Sequence, residues 1–257
     1  MLQRTNSPLV PLSELAEEPY SSVLGYPAAR TKKELEERVG ELEGIGVKGI
    51  IFEGRSKIGR LGVLGKGYVG IVVKALLADS SYVALKIRRT DASRESMERE
   101  ACLLKIANSV GVGPRLLASS RNFLAMDFAT GTRFIDWIKP ERDAEEVRTV
   151  ILEVLEQCFR LDATGLDHGE LSNLRKHVIV GEHVTIIDFE SSSTGRRTSN
   201  VTAASQFLFI GSPIAPKVRK VLGTGPADEV IRFLAEYKND HNRESFESLL
   251  RVLKLRE

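Results

Sequence analysis

The chain has 257 residues, 37 of them lysine or arginine and 35 aspartate or glutamate, for a net charge of +2. That near-balance excludes a histone-like or polyacidic chain, and 42% hydrophobic residues fit a soluble globular protein of one medium domain or two small lobes. Mean hydropathy is -0.13, and no apolar run approaches the roughly 18 residues of a membrane span. Met1–Ser7 has no apolar segment behind Arg4, so no secretory signal is expected and a cytoplasmic protein is the default. Cys102 and Cys158 lie far apart in helical stretches, without the paired spacing of a zinc site. Both are expected to be buried, reduced thiols.

Residues 1–30, with Pro8, Pro11, Pro19 and Pro27 and little periodicity, read as an irregular arm. Thr31 with Glu34 forms a capping signal before a short amphipathic helix over 32–43 carrying Leu35, Val39 and Leu42. "VKGIIFEG" then reads as a strand. From Gly59 to Ile87 the texture is β. "RLGVLGKGYVGIVVKALL" holds two runs broken by glycines, and "SYVALKIRR" is a further strand after the turn Ala78–Ser81. Ser93–Ser109 is helical, and "GVGPRLLASS" and "NFLAMDFAT" are two more strands. A long helix over 143–160 carries an inner stripe of Val147, Val150, Ile151, Val154, Leu155 and Cys158. A β-hairpin turns at Gly181-Glu182, and helices follow near 200–210, 226–238 and 242–255. The plan is α+β and two-lobed: an arm over 1–55, a β-rich lobe over 56–130 and a helical lobe over 131–257.

Four motifs carry the chemistry. Gly65-Lys66-Gly67-Tyr68-Val69-Gly70 is followed by β-branched "IVVKALL", so it joins two strands, as a phosphate-covering hairpin does, instead of opening a helix. A plain glycine-rich turn explains it equally well on its own. Lys86, in the apolar run "VALKI", would reach phosphates beneath that hairpin if it faces inward and a carboxylate holds it. Glu100, directly before "ACLL", is the best placed of Glu95, Glu98 and Glu100; a solvated glutamate is the bland alternative. "DHGELSNLRKHVIV" and "VTIIDFE" form a carboxylate-rich loop and a hairpin ending in Ile-Ile-Asp-Phe. Asp188 closes an apolar strand, where a charge is costly unless a metal or partner meets it, and suits a magnesium ligand. Glu170 is the candidate carboxylate at the attacking hydroxyl.

The order of these motifs resembles the protein-kinase superfamily over roughly residues 59–210. It is most similar to the small atypical kinases: the RIO kinases and the kinase subunit of the KEOPS tRNA-modifying complex, the latter especially over "REACLLKIANSVGVGPRLL". The resemblance implies a kinase-like fold with a β-rich N-lobe and a reduced helical C-lobe, and ATP and Mg2+ as cofactors. It implies a Lys86–Glu100 ion pair that orients the phosphates. Gly65, Lys66, Gly67, Tyr68, Gly70, Ala84, Lys86, Met126, Asp127 and Ala129 become the ATP-binding set, Met126 at the back of the adenine pocket and the backbones of Asp127 and Ala129 on the adenine.

Four departures matter. Glu170 stands where kinases carry aspartate, with Asp167 as a fallback base. Arg175 stands where the second metal ligand belongs, which leaves His177, the best alignment, or Asn173 to join Asp188. Asp-Phe-Gly is here Asp188-Phe189-Glu190, and about ten residues separate Asp188 from the helix near Asn200. That segment is too short for the usual peptide platform. Arg175, Lys176, Arg196 and Arg197 flank these motifs and suit a phosphate-rich acceptor. Lys217, Arg219 and Lys220 are assigned to the solvated surface. "HGELSNLRKHVIV … IIDFESSS … RRTSNVT" resembles an archaeal group of Ser/Thr-kinase-like proteins that includes an RNA kinase acting on a ribose 2′-hydroxyl of tRNA. An RNA acceptor follows from that resemblance. The alternatives are a RIO-like protein serine/threonine kinase, an ATP-hydrolysing regulatory subunit and a nucleotide-binding module without transfer activity.

Overall fold

Alternating apolar residues in the first half of the chain build an antiparallel sheet, and 3.6-residue periodicity in the second half builds helices. The computed structural model describes residues 7–28 and 31–257; the expectation for the extreme N-terminus rests largely on residues 1–6, which lie outside them. The chain divides into two compact units. One comprises the residues up to 102 together with 115–128, and the other 103–114 together with 129–257.

The first unit contains β1 (Leu9–Pro11), α1 (Ser21–Leu24), α2 (Lys32–Gly44), β2 (Val47–Ile51), β3 (Ser56–Ile58), β4 (Leu61–Val63), β5 (Gly65–Lys66), β6 (Gly70–Leu77) and β7 (Tyr82–Arg88). It also contains the start of α3 (Glu98–Ser109), β8 (Leu116–Ser119) and β9 (Phe123–Asp127). A seven-stranded sheet runs β1-β2-β6-β7-β9-β8, with β5 also paired to β6, and β3 and β4 form a separate hairpin. Along β7, Val83, Leu85 and Ile87 enter the main core. By the two-residue repeat of a strand, Ala84, Lys86 and Arg88 face the other way.

The described residues between 7 and 55 are part of this unit and not an arm over it. Val10, Leu15, Val23 and Leu24 are buried with Leu35 and Leu42 of α2, so scattered apolar residues without periodicity still supply core. Val10 pairs with Ile50 in the sheet, and Pro11 is accommodated because β1 is an edge strand. Thr31 caps α2 as its sequence signals, accepting from the Glu34 amide at 3.1 Å. Arg38 of α2 is buried and donates to the carbonyls of Leu24 and Arg88 at 2.8 Å and to Asn122 at 3.2 Å. Glu41 accepts from the Asn122 amide at 2.9 Å. Burial lowers the Arg38 pKa to about 10, which leaves it charged at neutral pH.

The helix expected from Ser93 begins at Glu98 instead. The Met97 amide is taken by the Arg121 carbonyl at 2.9 Å, which holds the preceding residues out of helical geometry. Cys102 is exposed on α3 while Cys158 is buried, so only one of the two thiols is interior: the face of α3 that carries Cys102 is not a packing face.

The second unit holds β10 (Thr132–Arg133), α4 (Phe134–Trp137), α5 (Ala144–Ala163), α6 (Leu174–His177), β11 (Val178–Val180) and β12 (Val184–Ile186). α7 (Asn200–Gln206), α8 (Ala215–Leu222), α9 (Ala227–Asp240) and α10 (Arg243–Val252) follow. Its small sheet runs β10-β11-β12. Asp143 caps α5, accepting from the Glu145 amide at 3.0 Å, and the predicted stripe from Val147 to Cys158 is buried. Asp162, near the end of α5, anchors α7. It accepts from Asn200 N and Nδ2 at 2.9 and 2.8 Å, Val201 N at 3.1 Å and the Tyr237 hydroxyl at 2.9 Å. No helix among the described residues is long and apolar enough to cross a membrane.

Candidate functional site

In the first unit, Lys86 and Glu100 are both 4% exposed, and Lys86 Nζ lies 2.7 Å from Glu100 Oε1. Glu98, by contrast, is exposed on the same helix. A buried ion pair costs desolvation and is weak evidence for stability alone, so its presence calls for another reason. The glycine motif lies directly above it. Gly67 donates to the Gly70 carbonyl at 2.8 Å, closing a tight hairpin between β5 and β6 with Tyr68, 91% exposed, at its tip. Gly70 has to be glycine: a Cβ there would meet the Ile87 carbonyl at 2.9 Å and Lys86 Cγ at 3.0 Å. The hairpin can therefore approach the lysine.

The other expected nucleotide contacts distribute unevenly. Ala84 and Met126 are paired in register between β7 and β9. Val69 and Met126 pack on a small apolar cluster of Met97, Ala101 and Leu124. Lys66 stacks its ammonium over the Tyr26 ring at 4.5 Å. The Asp127 amide is used within the sheet, donating to the Arg115 carbonyl at 2.9 Å, so it is not available to a base. Ala129 belongs to the second unit.

The second unit gathers Glu170, His177 and Asp188, each with a ligand atom within 4.8 Å of the others. Local structure explains the convergence. Glu170 precedes the 3-10 turn Leu171–Asn173, His177 ends α6, and Asp188 follows β12. The Ile187 amide donates to the His177 carbonyl at 2.9 Å, which ties two of the three together. Asp188 adopts φ 73, a left-handed conformation that aspartate tolerates better than most residues. His177 Nε2 lies 3.1 Å from Glu170 Oε2, and Ser191 Oγ donates to Glu170 Oε1 at 2.8 Å. His177 is 7% exposed, and its Nδ1 has no hydrogen-bond partner among the described residues. Two carboxylates this close, beside a buried imidazole whose Nε2 faces one of them, form a donor set that fits a divalent cation.

His168, which sequence reasoning passed over, positions this trio. It is fully buried, and its ring meets His177 at 5.5 Å and Phe189 at 5.0 Å between centroids, both edge-on. Its Nε2 faces the Ile187 carbonyl at 3.1 Å, which assigns the proton to that nitrogen. Burial first, then the neighbouring His177, lowers its pKa to about 4, so it is neutral. The only sequence signal was its place in the Asp-His-Gly-Glu run.

Other expected residues land differently. Asn173 is exposed at the end of the 3-10 turn, and Glu170 takes the place beside His177 and Asp188. Asp167 is not a spare base. It is 3% exposed, is paired to Arg196 Nε, and accepts from the Ser199 amide and hydroxyl at 2.9 and 3.1 Å. Its backbone bridges Ser193 in both directions, at 3.0 and 2.9 Å. Residues 189–199 are thus stapled to this one aspartate. Arg196 also donates to the Ser191 carbonyl at 2.8 Å, and Arg197 donates to the Lys238 carbonyl. Both arginines line a cleft of about 350 Å³ with Gly169, Ser172 and Ser199. Arg175 and Lys176 are exposed on α6. Lys217 is not simply solvated: it caps the C-terminal end of α4 by donating to the carbonyls of Ile138, Lys139 and Pro140 at 2.7–2.8 Å.

Fold and site together define a mixed α+β protein, an antiparallel-sheet unit with a buried lysine–glutamate pair and a largely helical unit with a carboxylate–histidine trio. No protein-family model matches the chain. Over 101 residues, 39% of this chain, it is 30% identical to the uncharacterized protein MJ1211 of Methanocaldococcus jannaschii, 85% of which is covered. The chain belongs to one family with that archaeal protein, whose name carries no activity.

Proposed function

We propose that this protein is an ATP-dependent phosphotransferase of protein-kinase-like fold that moves the γ-phosphate of ATP to a ribose 2′-hydroxyl of tRNA. The observation that carries this is the buried Lys86–Glu100 pair, 2.7 Å apart, under a glycine hairpin. A lysine held in that way has no structural need of its burial, but it is poised to meet phosphate oxygens. In the transfer, the acceptor oxygen bonds to the γ-phosphorus as the bond to the ADP oxygen breaks, and the hydroxyl proton passes to solvent water. Lys86 holds phosphate oxygens and Glu100 fixes the ammonium. Glu170, His177 and Asp188 would hold a divalent cation, which would supply positive charge against phosphate oxygens.

Three observations support an RNA acceptor. Arg175 and Lys176 are exposed on the same short helix as His177. Two further arginines line the cleft beside Gly169 and Ser172. The segment from 189 to 199 is short and folded back on Asp167, which leaves little of the surface that a peptide acceptor uses.

A second possibility, an ATP-hydrolysing regulatory subunit, is favoured by one feature: both Glu170 oxygens are already engaged, by Ser191 and His177. The test is transfer of label from γ-labelled ATP into a mixture of tRNA and cell protein, with portions digested by ribonuclease or protease. Label lost only to ribonuclease is expected. Label lost only to protease identifies a protein kinase, and released phosphate with no labelled acceptor identifies the ATPase.

A further inference from the structure

Magnesium is poorly matched to the trio in the second unit. Mg2+ prefers oxygen ligands and sheds its waters reluctantly, whereas an imidazole nitrogen suits the later first-row dications. Here the imidazole is not at the margin. His177 is 7% exposed, and its ring is held by the edge-on contact with His168. His168 is in turn fixed by the Ile187 carbonyl at 3.1 Å and by its own amide on Asn200 Oδ1 at 2.8 Å. An imidazole set this firmly cannot swing away to let water replace it. Its Nε2 is the nitrogen that faces Glu170, at 3.1 Å, and is therefore the one placed to meet an ion shared with the two carboxylates.

Glu170 bears on the same point. Ser191 Oγ donates to one carboxylate oxygen at 2.8 Å, and His177 Nε2 lies 3.1 Å from the other. Hydrogen bonding by an outer group is the usual support for a metal-ligating carboxylate. It is a poor arrangement for a base that must meet an incoming hydroxyl.

We propose that Glu170, His177 and Asp188 form a site for a first-row transition-metal dication, taken in preference to magnesium, with Glu170 serving as a ligand and not as the acceptor's base. The ion's part in phosphate transfer rests on the function proposed above; its binding does not.

The test uses the full chain without nucleotide and Co2+ as the probe. Titration should show one Co2+ held at least about tenfold more tightly than competing Mg2+. The proton spectrum of the Co2+-loaded protein should contain a strongly shifted ring N–H signal that disappears in D2O, the mark of a coordinated imidazole. In His177→Asn, Co2+ affinity should fall by at least about tenfold while Mg2+ affinity stays within a factor of about three. Equal competition by Mg2+, no Co2+ binding, or Co2+ binding without the shifted N–H would overturn the proposal. The spectrum of the unaltered protein decides the matter even if His177→Asn fails to fold. Because no ATP is present, a failed phosphotransfer assay and a failed metal site remain distinguishable.

Discussion

Lys86 and Glu100 illustrate how a single pair separates stability from function. Both are buried, so Lys86→Ala removes one partner of a buried ion pair and should cost about 3–5 kcal/mol. Replacing both, by Lys86→Met with Glu100→Leu, should recover most of that stability in urea unfolding. It should leave no phosphotransfer. If the doubly substituted protein transferred phosphate normally, the pair would be structural only. His168 gives a second prediction, on pH. Its folded pKa of about 4 lies below the ordinary 6.5, so the unfolded chain takes up the proton first as pH falls. Stability from this group is therefore complete above about pH 6.5 and is lost on acidification towards pH 4, by ~3 kcal/mol. In chelator-treated protein, His168→Gln should flatten that part of the stability–pH curve; an unchanged curve would show that His168 does not titrate there.

At the scale of elements, two aspartates organise the second unit. Asp162 collects four hydrogen bonds from α7 and Tyr237, so Asp162→Ala should cost about 4 kcal/mol through unsatisfied buried donors. A cost below about 1 kcal/mol in urea unfolding would mean water replaces the carboxylate. Asp167 staples residues 189–199, and Gly169 makes room for the clamp. Gly169 has φ 88, and a Cβ there would lie 2.8 Å from the Ser191 carbonyl and collide with the Arg196 guanidinium. Gly169→Ala should raise amide hydrogen exchange across 189–199 at least about tenfold while leaving α5 protected. Exchange that rises evenly over the whole unit would instead indicate general destabilisation.

For the whole molecule, what could be read in the sequence was whatever repeats or caps. The stripe of α5, the Thr31 cap of α2 and the strand β7 after its turn each follow from local sequence, and all three are present. The mixed architecture, sheet first and helices after, followed from them. What stayed hidden depends on partners far away in the chain. Nothing local marks Arg38 as a buried donor to Arg88 and Asn122, or Asp162 as the seat of α7. Val10 and Leu15 lack periodic company, so the segment that carries them read as an irregular arm, yet both side chains are core. In the candidate sites, Lys86, Glu100 and Asp188 stood out because a charge inside or beside an apolar run is costly, whereas His177 was suggested only by alignment with the kinase-like pattern. Glu170 was legible as chemistry but not as a neighbour of His177, and Arg196 was read as a contact to a phosphate-rich acceptor with nothing local to mark its pairing to Asp167.

The most direct measurement on the central claim compares γ-labelled with α-labelled ATP on purified tRNA, using the unaltered protein and Asp188→Ala. Ribonuclease-sensitive label should arise from γ-labelled ATP alone, and Asp188→Ala should give none. No label on tRNA from the unaltered protein, or equal labelling by Asp188→Ala, would contradict it.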